Sequence, residues 1–392
     1  MSPRLLGYTR IFYWYDNGQY KPRVIEENKH TRVEYTSVRI HDGYILSSHE
    51  PSYFFPGRWF DCCDIFFVLS GFAMTIGYKD RVFNSDFSYS NYLLRRLSKF
   101  YPLHWLILFY ILATHFTTLY QQDYFFAKLA TNFLLIQSFV PSKDFYFAYN
   151  SPSWYLCNTL FYCVIFPFLL RFIVDCKRNV RRAFLVGLLS VYVLLIIFLP
   201  KEWHHAILYV NPFVRILDFV LGIYTVLLFF DLREDSKLVR QKSLLNTVVF
   251  VCFVVLALVS FSLTGTEVYE LFKRFYWLLF CPMILAVSLK SVRGGGYLQA
   301  FDNQAFGMNG SALKLLKCAS KTMQWGGTYS FTFYLIHPLC IGLFSKICSK
   351  IGLEVWPTVF FTFTGVIVVS VLLQKFFVKP IAQIITYKFI KK

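Results

Sequence analysis

Charge is scarce in this chain of 392 residues: 16% are Asp, Glu, Lys or Arg, against about 25% in soluble domains. Acids are scarcer still, 22 against 40 bases, which leaves a net charge of +18. That basic excess would suit nucleic acid, yet the Lys and Arg stand in short clusters between apolar runs. This is the pattern of loops facing an anionic leaflet, and it argues for membrane lipids rather than nucleic acid as partner. Soluble-enzyme signatures are missing as well. There is no P-loop, no nucleophile elbow flanked by Gly and no zinc-type pair of ligands, so no bound metal or cofactor is expected. The 10 Cys lie mostly inside or beside apolar runs, for example Cys157, Cys163, Cys252 and Cys281, where a thiol behaves as a small hydrophobe. Adjacent Cys62 and Cys63 read as filler at a helix start. The first stretch is polar and lacks the apolar core of a cleavable signal peptide.

What the chain has instead is apolar bulk: 56% hydrophobic residues and 20% aromatic, with 45 Phe. A bilayer span needs about 20 mostly apolar residues. Nine runs approach or reach that length: Cys62–Tyr78, Tyr101–Leu119, Trp154–Val174, Ala183–Leu199, Ile207–Phe230, Leu244–Leu263, Phe275–Leu289, Tyr329–Phe344 and Val355–Leu373. Their continuity predicts an all-α polytopic membrane bundle of nine or ten helices, not a barrel of alternating strands. Basic and base-poor connections alternate. Lys79 to Lys99, Arg171 to Arg182 and Lys290 to Lys321 are basic, while Gln121 to Ser153 and Pro200 to Ala206 read as outer loops. The C-terminus is thereby expected in the cytoplasm. A basic stretch before Arg39 looks cytoplasmic too, which calls for a tenth helix between about Val38 and Phe55. The expected organisation is a polar cytoplasmic leader over 1–32, one membrane domain over 33–381 and a basic tail over 382–392. Arg293–Gly310, rich in Gly and Asn, reads as a flexible loop.

Several strings place polar residues where chemistry would need them. "DIFFVLSGFAM", Asp64 to Met74, is an apolar run with a small-residue break at Ser70 and Gly71. "LLRRLSKFYPLHW", Leu93 to Trp105, sets Arg95, Arg96 and Lys99 before Pro102. "NSPSWYLCNTLFYCVIFPFL", Asn150 to Leu169, carries Ser153, Trp154 and Pro167. "NPFVRILDFVLGI", Asn211 to Ile223, puts Arg215 and Asp218 three apart on one helical face inside an apolar run. "GGTYSFTFYLIHPL", Gly326 to Leu339, holds Tyr334 and His337 just before Pro338. Upstream, "EYTSVRIHDGYILSSHEPSYFFPG" supplies Arg39 and His49.

In this order, over roughly Val33 to Ile381, these strings resemble the acyltransferase-3 family, integral membrane enzymes that move acyl groups, usually acetyl, onto sugars. The resemblance implies acetyl-CoA as donor and a hydroxyl of a surface or lipid-linked glycan as acceptor. It further implies His49 as base or acyl relay assisted by Arg39, and Arg95, Arg96 and Lys99 as the grip on coenzyme A phosphates. Ser70, Trp154, Arg215, Asp218, Tyr334 and His337 would line or shape the path, in a bacterial inner membrane. The chain departs from the family pattern in three places. Nine rather than ten residues separate Arg39 from His49, which rotates one against the other by about 100° on a helix. Thr159 and Val378 stand where a Glu is usual. A transporter or flippase, and an acyltransferase-3 relative that has lost catalysis, remain as alternative readings.

Overall fold

A computed structural model describes residues 10–16, 19–25, 63–234, 241–262, 266–291 and 310–390. The chain divides into two units, Met1–Tyr44 and Ile45–Lys392. In the first, strands β1 (Arg10–Asp16) and β2 (Gln19–Ile25) pair antiparallel, in register from Arg10 opposite Ile25 to Asp16 opposite Gln19. This hairpin adds β-structure to a leader whose sequence was read only as polar.

Among its described residues the second unit has helices and no strand. Its helices are α1 (Cys63–Val82), α2 (Tyr89–Tyr120), α3 (Phe125–Phe133), α4 (Lys143–Tyr146), α5 (Ser153–Asp175), α6 (Arg178–Phe198) and α7 (Pro212–Leu232). After these come α8 (Lys242–Ser262), α9 (Glu267–Lys273), α10 (Trp277–Ser291), α11 (Gly310–Lys350), α12 (Val355–Leu373) and α13 (Lys379–Ile390). Over their described residues the nine apolar runs are helical except at Leu199, Asn211, Phe275 and Tyr276. Six helical stretches are long and apolar enough to cross a bilayer: Tyr89–Tyr120, Ser153–Asp175, Arg178–Phe198, Pro212–Leu232, Gln324–Lys350 and Val355–Phe389. The protein is an integral membrane helix bundle. The expected tenth span and the Gly-rich stretch before Gly310 lie outside the described residues.

The centre of the bundle is α1, α2, α5 and α7. Asn211 starts α7 by accepting a hydrogen bond from the Phe213 N–H at 2.9 Å, with Pro212 at the first helical position, where its missing N–H costs nothing. The small-residue break in the apolar run at Ser70 and Gly71 falls inside α1, which runs unbroken from Cys63 to Val82. The small residue Gly71 serves packing there. A Cβ on Gly71 would overlap the Phe219 carbonyl of α7, and one on Gly222 would overlap the Val68 carbonyl of α1. The two glycines let the helix backbones touch, the means by which helices associate where lipid supplies no hydrophobic contrast.

The stretch read as an outer loop, Gln121 to Ser153, is also different. It folds back along α2 as α3, a 3₁₀ turn (Gln137–Phe139) and α4. One face of α2 supplies donors to the carbonyls that end α3. Tyr101 Oη reaches Leu134 O at 3.0 Å, His104 Nε2 reaches Asn132 O at 2.8 Å and Trp105 Nε1 reaches Phe133 O at 3.1 Å. A helix end leaves its last carbonyls without intrahelical partners, and here side chains three and four residues apart fill them. Tyr124, Leu135 and Tyr149, the non-glycine residues with left-handed φ (58°, 56° and 59°) among the described residues, all lie in this segment. Such backbone persists only where surrounding contacts over-determine it.

Candidate functional site

Prolines inside helices place the polar groups of the bundle. A proline gives no N–H to the carbonyl four residues earlier, and within a membrane that oxygen must find another donor. Pro167 of α5 releases the Cys163 carbonyl, which accepts from Tyr92 Oη at 2.9 Å, while the adjacent Val164 carbonyl accepts from Tyr89 Oη at 3.1 Å. Pro338 of α11 releases the Tyr334 carbonyl, which takes a hydrogen bond from His337 Nδ1 at 2.6 Å. A carbonyl only accepts, so Nδ1 carries the proton and the neutral ring keeps its lone pair on Nε2. An imidazole in an apolar run needs a polar partner. The following proline creates it.

A second polar pair lies at the start of α7. Arg215 and Asp218, both nearly inaccessible, form an ion pair at 3.0 Å across one helical turn. The Arg215 guanidinium also lies over the Phe67 ring of α1, 5.4 Å from its centroid. Phe67 stacks on Tyr155 at 4.8 Å and meets Trp154 edge-on at 6.2 Å. Tyr155 touches Tyr334 at 5.3 Å, and Tyr334 lies 5.8 Å from the His337 ring. An aromatic wall thus joins the ion pair at one pole to His337 at the other. Of the residues singled out in the sequence, Trp154, Arg215, Asp218, Tyr334 and His337 come together along it. Trp154 is 4% exposed and so is no interfacial belt residue. Ser70 is half-buried, one turn beyond Phe67 on α1.

The basic cluster is split by its helix. Arg95 and Lys99 are exposed, whereas Arg96 turns inward over the rings of Tyr78, at 4.8 Å, and Tyr92, at 5.7 Å. Two exposed cations and one aromatic-held guanidinium suit a polyanion approaching from the α1–α2 turn, with Arg96 as the fixed member. Arg39 and His49 lie outside the described residues.

Several residues of the site gave no signal that sequence reasoning used. Phe67 and Tyr155, the centre of the wall, look like filler in apolar runs. Tyr146, His205 and Tyr209 extend it. Tyr146 Oη and His205 Nδ1 are 3.0 Å apart, His205 lies 5.1 Å from Tyr209, and Tyr209 packs 4.9 Å from Trp154. Burial, and secondarily Asp144, raise the Tyr146 phenol, and burial pushes that of Tyr149 up to about 12. Both stay protonated donors at neutral pH.

No curated protein and no solved structure matches the chain significantly. A family model described as an acyltransferase domain matches residues 39–375, an interval that takes in every string quoted above from Arg39 to Pro338. With most of its length inside that match, and an intramembrane imidazole and ion pair joined across the bundle core, the chain belongs to the acyltransferase-3 family.

Proposed function

We propose that this acyltransferase moves acetyl from cytoplasmic acetyl-CoA to a hydroxyl of a surface or lipid-linked glycan. The observation that carries the reading is the split basic cluster opening α2. Arg95 and Lys99 are free to meet diphosphate, and Arg96 is anchored on Tyr78 and Tyr92 beside them. The positive-inside pattern supports the placement of this cluster, and of the C-terminus, on the cytoplasmic side, in a bacterial inner membrane. His49, assisted by Arg39, acts as the base or acyl relay. Imidazole is suited to taking a hydroxyl proton near neutral pH. Arg215 and Asp218 line the path, with Ser70, Trp154, Tyr334 and His337 shaping it. Donor inside and acceptor outside require the acyl group to cross the membrane, by threading of the thioester arm or through a transient acyl-enzyme.

The test is transfer of labelled acetyl from acetyl-CoA to membrane or surface glycan in cells making the protein, its His49→Ala form and a Lys143→Ala control. Label that needs the protein and His49 but not Lys143 supports the reading. Absence of label from every form overturns it in favour of a transporter, or of a relative without catalysis.

A further inference from the structure

Helix α3 turns back along α2 and leaves a gap between the two. It is fastened at its C-terminal end, where Trp105 Nε1 meets the Phe133 carbonyl at 3.1 Å. At its other end Tyr124, with φ of 58°, reverses the chain. Phe125 there packs edge-on against Phe116 at 6.1 Å and Tyr120 at 5.5 Å. Helix α2 bends between these two ends. His115 departs from helical backbone, with φ of −132° and ψ of 20°, beside Thr114, whose hydroxyl donates to the Tyr110 carbonyl at 2.8 Å. A hydroxyl that bonds back to the carbonyl four residues earlier often bends a helix. Beyond the bend Phe116 and Tyr120 stack at 5.7 Å, and Tyr120 meets Phe126 edge-on at 6.3 Å. What remains is a cavity of about 460 Å³ between Leu112, Phe116 and Tyr120 of α2 and Phe125, Phe126 and Leu129 of α3.

Size, walls and depth together say what belongs in it. Ligand sites occupy about 300–1,000 Å³, so this one has room for a ligand. Its walls are carbon almost throughout. Water stays in a cavity only where polar groups hold it, and an unfilled one forfeits the dispersion contacts of its lining. Depth decides between the remaining occupants. Lys99 is the last charged residue of α2. At about 1.5 Å per residue, Leu112 stands about 20 Å and Tyr120 about 32 Å beyond it, in a hydrocarbon layer about 30 Å thick. The cavity thus belongs to the leaflet opposite the basic cluster. It ends at the polar run Gln121, Gln122 and Asp123, where headgroups begin. Its mouth faces away from the bundle, since Phe116, Tyr120 and Phe126 are exposed.

The geometry points to a lipid site: one acyl chain of a membrane phospholipid lies in the cavity between α2 and α3, its headgroup over Gln121 and Gln122. The bilayer around the mouth is the source. The chain gives the four rings contacts that no described side chain supplies, and it holds α3 at its distance from α2. The site stands on cavity and depth alone, and is tested without measuring acyl transfer.

The experiment is photolabelling of the full chain in phosphatidylcholine nanodiscs that contain a trace of phosphatidylcholine with a diazirine in its acyl chain. Adducts are mapped by mass spectrometry on residues 112–120 and 125–129. The reference is Val186, Val191 and Phe198, exposed residues of α6 that form no part of the cavity. A held chain labels the α2–α3 residues several-fold more than those of α6. Ala113 also lines the cavity, and Ala113→Trp puts an indole into it and brings the label down to the α6 level. Gly187→Trp, in open space on α6, leaves the excess unchanged. Equal label on the two surfaces of the unmodified protein overturns the proposal, whether the cavity stays empty or a second copy of the chain closes it. This arm needs no variant to fold. Excess label that survives Ala113→Trp overturns it as well. So does excess label erased by a small fraction of polyprenyl phosphate, which would name a prenyl chain as the occupant.

Discussion

The most apolar stretches of α6 and α7 have equal mean hydropathy, yet 6% of that of α6 is buried inside the protein against 61% for α7. Apolarity cannot distinguish them, because in a bilayer Leu and Phe are as well solvated by lipid as by protein. What separates the two is the content that lipid cannot satisfy. Helix α7 carries Arg215, Asp218, Gly222 and Thr225, whereas the apolar part of α6 has Gly187 in open space and Val186, Val191, Ile197 and Phe198 facing outward. Polar pairs and small residues, not hydrophobic bulk, choose which helix becomes the core.

The largest break in that comparison comes from its glycines. Gly222→Leu or Gly71→Leu drives a side chain into a backbone carbonyl that cannot step aside. The expected cost exceeds about 4–5 kcal/mol, beyond what single substitutions ordinarily reach. Folded monodisperse protein should vanish in fluorescence-detected size exclusion. Gly187→Leu meets nothing within 4 Å and should elute as wild type, with stability within about 0.5 kcal/mol. Equal behaviour of the three variants would sink the assignment of α1–α7 contact as the bundle's axis.

Next in size is the ion pair. Asp218→Ala leaves the Arg215 guanidinium buried without its carboxylate 3.0 Å away, a change that costs about 3–5 kcal/mol. Replacing both, as Arg215→Met with Asp218→Leu, removes charge and counter-charge together. Thermal melting in detergent should show the double variant recovering much of the loss. If the single and double variants melt alike, the pair carries no coupled stability, and Arg215 answers to its other neighbours.

How far was this arrangement legible? Helices were, because uninterrupted apolar runs of such length permit little else. The start of α7 was written in Asn211-Pro212, and the ion pair in the three-residue spacing of opposite charges. Phe67 and Tyr155 were not, since an aromatic in an apolar run faces lipid or core with equal plausibility. The fold-back segment was misread for a definite reason. Asn132, Gln137, Ser138 and Asn150 look like solvated loop residues, yet all are buried. The overlooked signal lay on the partner helix. Tyr101, His104 and Trp105 place three donors on one face of an apolar run, and donors there require acceptors that α2 itself does not offer. Asn17-Gly18 is similarly the dipeptide most favoured between hairpin strands, and it stands between β1 and β2 in the sequence. The polar leader was read without it.

A smaller effect, on rate rather than folding, tests the other pole of the core. Pro338→Ala returns an N–H to the Tyr334 carbonyl, which then no longer needs His337 Nδ1. With Nδ1 released, the ring exchanges tautomers and its Nε2 lone pair is no longer held in place. If His337 takes part in the transfer step, the rate falls about tenfold, equivalent to roughly 1.4 kcal/mol of barrier, and the pH profile shifts. Nitrogen chemical shifts of labelled histidine, assigned by loss of the signal in His337→Asn, give the tautomer directly. An Nε2-protonated ring in the unmodified protein contradicts the role assigned to the proline.

The smallest expected change returns to the contrast between core and lipid face. Trp105→Phe keeps an aromatic ring against Phe133, where the two now stack at 4.9 Å, and deletes the Nε1–H that meets the Phe133 carbonyl together with part of the indole ring. One such hydrogen bond contributes about 0.5–1.5 kcal/mol net, and its loss should lower the melting temperature modestly. Phe198→Leu on α6 removes more apolar atoms from a residue that is 76% exposed, and its effect should fall below that of Trp105→Phe. The order runs against what burial of hydrophobic area in water predicts, since the larger apolar loss gives the smaller effect. A reversed order would mean that α6 is packed against protein in the native membrane, and that the difference between α6 and α7 is one of position in an assembly rather than of contact with lipid.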